Sequence, residues 1–196
     1  RAAKVRFALV PDDALARLCP GVRHQGVLAR LRSSSRVAWE TLLTEAADAP
    51  LPLVVALDQV QDPGNVGTLA RTLYALGGAG LVLPRHNSAY LGPGARRSAA
   101  GALERLPLAE VVNLARAVEQ AREAGFSTYA ARFAEDGMNA LSAPLEFPAL
   151  LVLGNEDRGV RPGVAKQCAH SLHVPFLRDF DSLNVAQAGG ILISCF

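Results

Sequence analysis

From Leu53 to the end of the chain, short apolar runs alternate with helix-length amphipathic stretches, and few folds accommodate that alternation. The runs Leu53–Leu57, Gly80–Leu83 and Ala149–Leu153 carry no charged residue, the pattern of strands covered on both faces. Further strands are predicted at Arg105–Leu108, Phe126–Ala131 and Ser171–Val174. Helices are predicted over Val66–Leu76, Pro93–Leu103, Val111–Ala124 and Asn184–Cys195, with a short one near Pro162–Gln167. The expected class is α/β, a mostly parallel sheet with helices on both faces. Ahead of it, Val5–Val10 and Val27–Leu31 read as strands and Asp12–Leu18 as a capped helix. Ser33–Ser35 reads as a linker and Val37–Ala47 as a helix, and Pro50 and Pro52 mark a boundary.

Half of the 196 residues are hydrophobic, enough for a substantial core. No apolar stretch is long enough to span a bilayer, so a cytoplasmic protein without membrane contact is expected. Cys19, Cys168 and Cys195 show neither C-x-x-C spacing nor a nearby His set; core thiols are expected, and no metal. The net charge of +2 conceals an asymmetry. Residues 1–36 hold eight Lys/Arg against two Asp, whereas residues 37–196 hold twelve against sixteen Asp/Glu. A polyanion partner at the N-terminal side would account for this.

Three segments follow apolar runs and carry small and polar residues where the chain turns: Asp62-Pro-Gly-Asn-Val-Gly67 with Arg71, Leu153-Gly-Asn-Glu156, and Ser182-Leu-Asn-Val185. Strand-to-helix junctions are where open α/β sheets bind ligands, so one composite site is expected. Asn65 stands where an N-cap is expected, and Ser182 or Asn184 would cap the last helix. Gly64-Asn-Val-Gly67 at a helix start could cradle a phosphate, but it lacks the G-x-G-x-x-G spacing, and a nucleotide-dependent enzyme is the weaker reading. Gly189-Gly190 inside an apolar helix points to close helix packing.

Taken in order, Asn65 with Arg71, Gly154-Asn-Glu156 and Ser182-Leu-Asn184 resemble the motifs of the SpoU/TrmH family of RNA ribose 2′-O-methyltransferases, in the SPOUT superfamily. The Leu57-Asp58 lead-in and Ser98-Ala-Ala-Gly-Ala102 are similar to that family as well. The resemblance covers residues 53–196. Residues 1–32 resemble the C-terminal part of the family's small α/β RNA-binding domain, and 33–52 would be linker and helix. It implies a C-terminal trefoil knot, a homodimer, and S-adenosylmethionine bound by Leu153, Gly154, Asn155, Val174 and Leu183.

By the same resemblance, Arg71, Asn65, Glu156, Ser182 and Asn184 form the catalytic set for methylating a ribose 2′-hydroxyl in rRNA or tRNA. A guanidinium is always protonated, so Arg71 is assigned as an electrostatic clamp that completes a partner subunit's site, with Glu156 as proton acceptor. Arg23, Arg30, Arg32, Arg85, Arg96, Arg97 and Arg178 are the expected RNA contacts. Asp157 stands where many members of the family have Gly and Arg178 where the family usually has Gly, and an alternative reading on those two residues is a catalytically inactive RNA-binding or assembly factor.

Overall fold

The structure, a computed structural model, describes residues 6–21, 24–29 and 35–196. The chain divides into two compact units, Arg1–Arg32 and Ser33–Phe196. The first contains helix α1 (Asp12–Leu18), which has acidic residues in its first turn and Arg17 in its last, as the helix dipole favours, but no buried residue. Phe7, Leu9 and Leu18 are exposed, and none of the described residues of this unit is buried. The strands expected at Val5–Val10 and Val27–Leu31 are not formed at residues 6–10 or 27–29. The rest of those two ranges, and Arg23, Arg30 and Arg32, lie outside the described residues.

The second unit is built on seven parallel strands in the order β3-β2-β1-β6-β4-β7-β5. They are β1 (Leu51–Asp58), β2 (Gly78–Pro84), β3 (Leu108–Val111), β4 (Ser127–Ala131), β5 (Met138–Asn139), β6 (Ala149–Gly154) and β7 (His170–His173). Strand alternation divides the core in two. Leu53, Val55 and Leu57 of β1, with Leu151 and Leu153 of β6, face α3 (Pro63–Ala75), α4 (Pro93–Ala99) and α7 (Val185–Cys195). Val54 and Ala56, with Leu150 and Val152, face α2 (Trp39–Glu45), α5 (Leu114–Glu123) and α6 (Pro162–Ala165). Both faces are thus covered, as the charge-free runs required.

Helix packing explains several glycines. A Cβ on Gly67 would strike the Ala95 carbonyl oxygen and approach Ser98 Cβ to 2.8 Å, so α3 and α4 cross at this residue. A Cβ on Gly189 would strike Leu69 and come within 2.6 Å of Leu153 Cδ1, which lets α7 lie against α3 and β6; Gly190 meets nothing. The close packing expected of the pair therefore belongs to Gly189 alone. Gly67 is buried at a helix crossing rather than open to a phosphate.

Other expectations shift. Helix α4 stops at Ala99 because Ala100 (φ 49°) and Gly101 (φ 90°) turn left-handed, so it does not reach Leu103. β3 begins at Leu108, not Arg105; Leu106 is buried from a turn. α5 begins at Leu114, where Asn113 caps it, instead of Val111. All three cysteines are free and only partly buried; Cys168 and Cys195 pack against the edges of the two core layers, whereas Cys19 belongs to neither, so the expectation of core thiols is met in part.

Candidate functional site

β1 sends the chain outward to β2 and β3, whereas β6 lies on its other side, so the crossovers diverge between β1 and β6. Their C-terminal ends are in register, with Asp58 opposite Gly154. A crevice opens at such a reversal, outside the carboxyl ends of the strands.

Three side chains from the three sequence junctions meet there. Asn184 Nδ2 donates to Asn65 Oδ1 at 3.2 Å, and Asn65 Nδ2 donates to Glu156 Oε1 at 2.9 Å. Asn155 Nδ2 reaches Glu156 Oε2 at 3.3 Å and the Gln59 carbonyl at 3.0 Å. Both oxygens of the half-buried Glu156 carboxylate thus accept from amide donors, and the chain of amides runs from the start of α7 through α3 to the β6 loop.

Local structure frees these groups for that role. Asn65 is not the N-cap of α3: Asp62 is, its Oδ1 accepting from the Asn65 N–H at 2.8 Å, with Pro63 at the first helical position. The Asn65 side chain is therefore available to bridge. Asn184 does cap α7, its Oδ1 accepting from Ala186 N at 2.9 Å, while its Nδ2 turns to Asn65. Ser182 makes no cap. Asn155 Oδ1 accepts from Asp157 N and Arg158 N at 3.0 and 3.2 Å, and its main chain pairs with Gly159, closing a tight loop with Glu156 near its tip. A Cβ at Gly154 would strike the Gly159 carbonyl carbon and Val160 N, so only glycine lets the loop fold back on its own strand.

A second anchor was only half legible in the sequence. Asp58, fully buried at the end of β1, accepts from Arg161 N and Arg161 Nε, each at 2.8 Å, and pairs with the guanidinium at 2.7 Å. This fixes the far end of the Glu156 loop to β1. Only the Asp58 lead-in hinted at it; Arg161 carried no signal.

Beside the network a cavity of about 820 Å³ is bounded by the ends of β4 and β7, the 174–183 loop and α7. Val174, Ser182, Leu183 and Arg178 line it, as do Arg132 and Asp181, which sequence reasoning did not single out. Leu153, Gly154 and Asn155 do not: Leu153 is core, Gly154 closes the loop and Asn155 holds Glu156. Arg71 is exposed and makes no hydrogen bond or ion pair among the described residues; it lies six residues, about 9 Å of helix axis, beyond Asn65. Arg85 and Arg97 are exposed, and Arg96 is paired with Glu104. Burial holds the Cys168 thiol up at about 12, and Cys195 is raised for the same reason, so neither is a thiolate nucleophile at neutral pH. No cluster of three or more potential metal ligands occurs among the described residues.

A model of the SpoU rRNA Methylase family matches residues 52–194, the span that contains the network, the cavity and the whole sheet apart from the first residue of β1. The chain belongs to this family. Among its relatives, this SpoU chain is 32% identical over 197 residues to an uncharacterized tRNA/rRNA methyltransferase from Mycobacterium leprae, covering 99% of the chain and 63% of the relative. It is 34% identical over 172 residues to the 23S rRNA (guanosine-2′-O-)-methyltransferase RlmB from Pseudomonas syringae pv. tomato, covering 87% of the chain and 68% of that protein. The structure is similar to an AdoMet-bound rRNA methyltransferase from Sinorhizobium meliloti, with TM-score 0.68 and 28% identity over 79% of this chain and 58% of that one. The chain spans about three-fifths of the length of several curated relatives that it matches.

Proposed function

We propose that this SpoU domain uses S-adenosylmethionine to methylate a ribose 2′-hydroxyl in structured rRNA or tRNA, as a cytoplasmic homodimer. The observation that carries the reading is the hydrogen-bonded series Asn184–Asn65–Glu156 at the sheet's reversal, beside a cavity of about 820 Å³. That volume suits a nucleoside-sized ligand. The lining suits this one too: Val174, Leu183 and Leu192 offer apolar contact, while Arg132, Arg178 and Asp181 can meet the carboxylate and ammonium of an amino-acid tail. The AdoMet-bound relative supports the same cofactor. No membrane-length apolar helix occurs among the described residues.

When bound, the cofactor supplies an electrophilic methyl group. The chain's own residues then have three tasks. Asn65 and Asn184 orient Glu156 and the incoming hydroxyl; Glu156, held at both oxygens, accepts the hydroxyl proton; and Arg71 offsets the charge that develops on the ribose oxygen. The exposure of Arg71, six residues along α3 from Asn65, supports its acting in a partner subunit's site. The return of α7 across the end of β6 to α3 supports a knotted C-terminal segment. Residues 1–32, which carry a net positive charge, are assigned as part of an RNA-binding domain. The inactive-factor alternative rests on Asp157 and Arg178 alone. Arg178 lines a cavity that remains open, and the comparisons lend that alternative no support.

The test is nucleoside mass spectrometry of RNA from a deletion strain after incubation with the full-length protein and methyl-labelled cofactor. Label in one 2′-O-methylnucleoside is expected. Label on a base, or none, would refute the assignment.

A further inference from the structure

A second concavity, of about 580 Å³, lies between α2 and α5 at the β3 edge of the sheet, away from every residue assigned above to catalysis. Trp39, buried at its floor, donates Nε1–H to Gln120 Oε1 at 3.1 Å and ties the two helices together. Residues 35–37 run along the edge: Leu108 N donates to Ser35 O at 2.8 Å, and Val37 N to Leu108 O at 2.9 Å. The main-chain groups of Leu108 that a peptide strand would pair with are therefore already engaged.

The charges favour a different occupant. Arg36, Arg85 and Arg116 converge on the groove, with Glu40 and Glu110 as its carboxylates. Arg36 pairs with Glu110 at 2.8 Å, whereas Arg85 and Arg116 are exposed and have no carboxylate partner among the described residues. Arg85 follows β2, and Arg116 lies in the first turn of α5, the helix that follows β3, so both sit at the carboxyl end of the sheet. Asp58 and Gly154, which bound the catalytic network, sit at that same end. In the sheet order β3 is three places from β6, about 14 Å at ~4.8 Å per strand.

We infer that this groove holds phosphates of the RNA strand flanking the target nucleotide, with Arg85 and Arg116 as its contacts. The inference rests on the reading of RNA as substrate. Guanidinium forks match phosphate geometry, and two unpaired ones on the same sheet rim as the reacting centre give the backbone a track leading toward it. Of the arginines expected from sequence to touch RNA, Arg85 alone lines this groove; Arg36 and Arg116 were not anticipated.

The experiment is filter binding of a 23S rRNA transcript and a tRNA transcript to the full-length protein between 50 and 300 mM salt. It compares wild type, R85Q/R116Q and a control, R122Q. The helix cap at Asn113 uses the main-chain N–H of Arg116, so these changes leave the fold in place, as a thermal melt checks. For the transcript that wild type binds more tightly, the double variant should lose about tenfold or more in affinity. Its plot of log K against log salt should be shallower by about two, near one per lost phosphate contact. The KM for RNA should rise rather than kcat fall, while cofactor affinity and R122Q stay at wild-type values. RNA affinity within twofold of wild type with an unchanged slope would overturn the inference and leave the groove to a peptide or a small anion. A wild type that methylates no RNA and binds none would instead overturn the functional reading, and this inference with it.

Discussion

The two halves of the candidate site are built to different standards. Around Glu156 the polar groups are held: Asn65, Asn155 and Asn184 form a continuous hydrogen-bonded series, and Asp58 with Arg161 locks the loop to β1. Around the cavity, Phe176, Leu177 and Phe180 face solvent, Leu177 at 97% exposure, and Arg178 is exposed beside them. The contrast separates chemistry from capture. Catalysis needs its groups placed before the substrate arrives. On the proposed function, a loop that admits the cofactor belongs among the less tightly held parts of the molecule.

The contrast breaks most visibly at its buried anchor. Arg161→Ala leaves the Asp58 carboxylate buried with one remaining main-chain donor, and losing one member of such a pair costs about 3 kcal/mol. A calorimetric scan should then show the transition fall by roughly 6–12 °C for a unit of this size. A fall below about 2 °C would mean that the loop is not anchored there. Gly154→Ala comes next, at about 2 kcal/mol, because its methyl group meets main chain rather than a movable side chain. Chemical denaturation should register that loss together with a slower methyl-transfer rate; wild-type stability would show that the loop can shift freely. Leu177→Ser sits at the other extreme. Its side chain touches little, so stability should stay within about 0.5 kcal/mol, and any weakening of cofactor binding would report a role for the loop in capture.

How far the sequence anticipated this division depends on the range of the interactions. The main strands and helices were legible because charge-free runs and 3.6-residue periodicity are local, whereas the two-residue β5 has no such signature. The three site segments were found in order, and Asn65, Glu156 and Asn184 do meet. The misassigned cap could have been avoided: Pro63 belongs at the first helical position, which makes the preceding Asp62 the cap and frees Asn65. The pairing of Asp58 with Arg161 spans 103 residues and has no local signal at all. Gly154 was expected to admit a ligand, yet what approaches it is the protein's own Gly159.

Glu156→Gln offers the most direct test of the division between a fixed reacting centre and a separate binding cavity. Measured by calorimetry and single-turnover methylation, the variant should bind S-adenosylmethionine within threefold of wild type and react about 100-fold or more slowly, in the range that proton-transfer catalysis contributes. Full single-turnover activity, or a loss of cofactor binding as large as the loss of rate, would contradict the account.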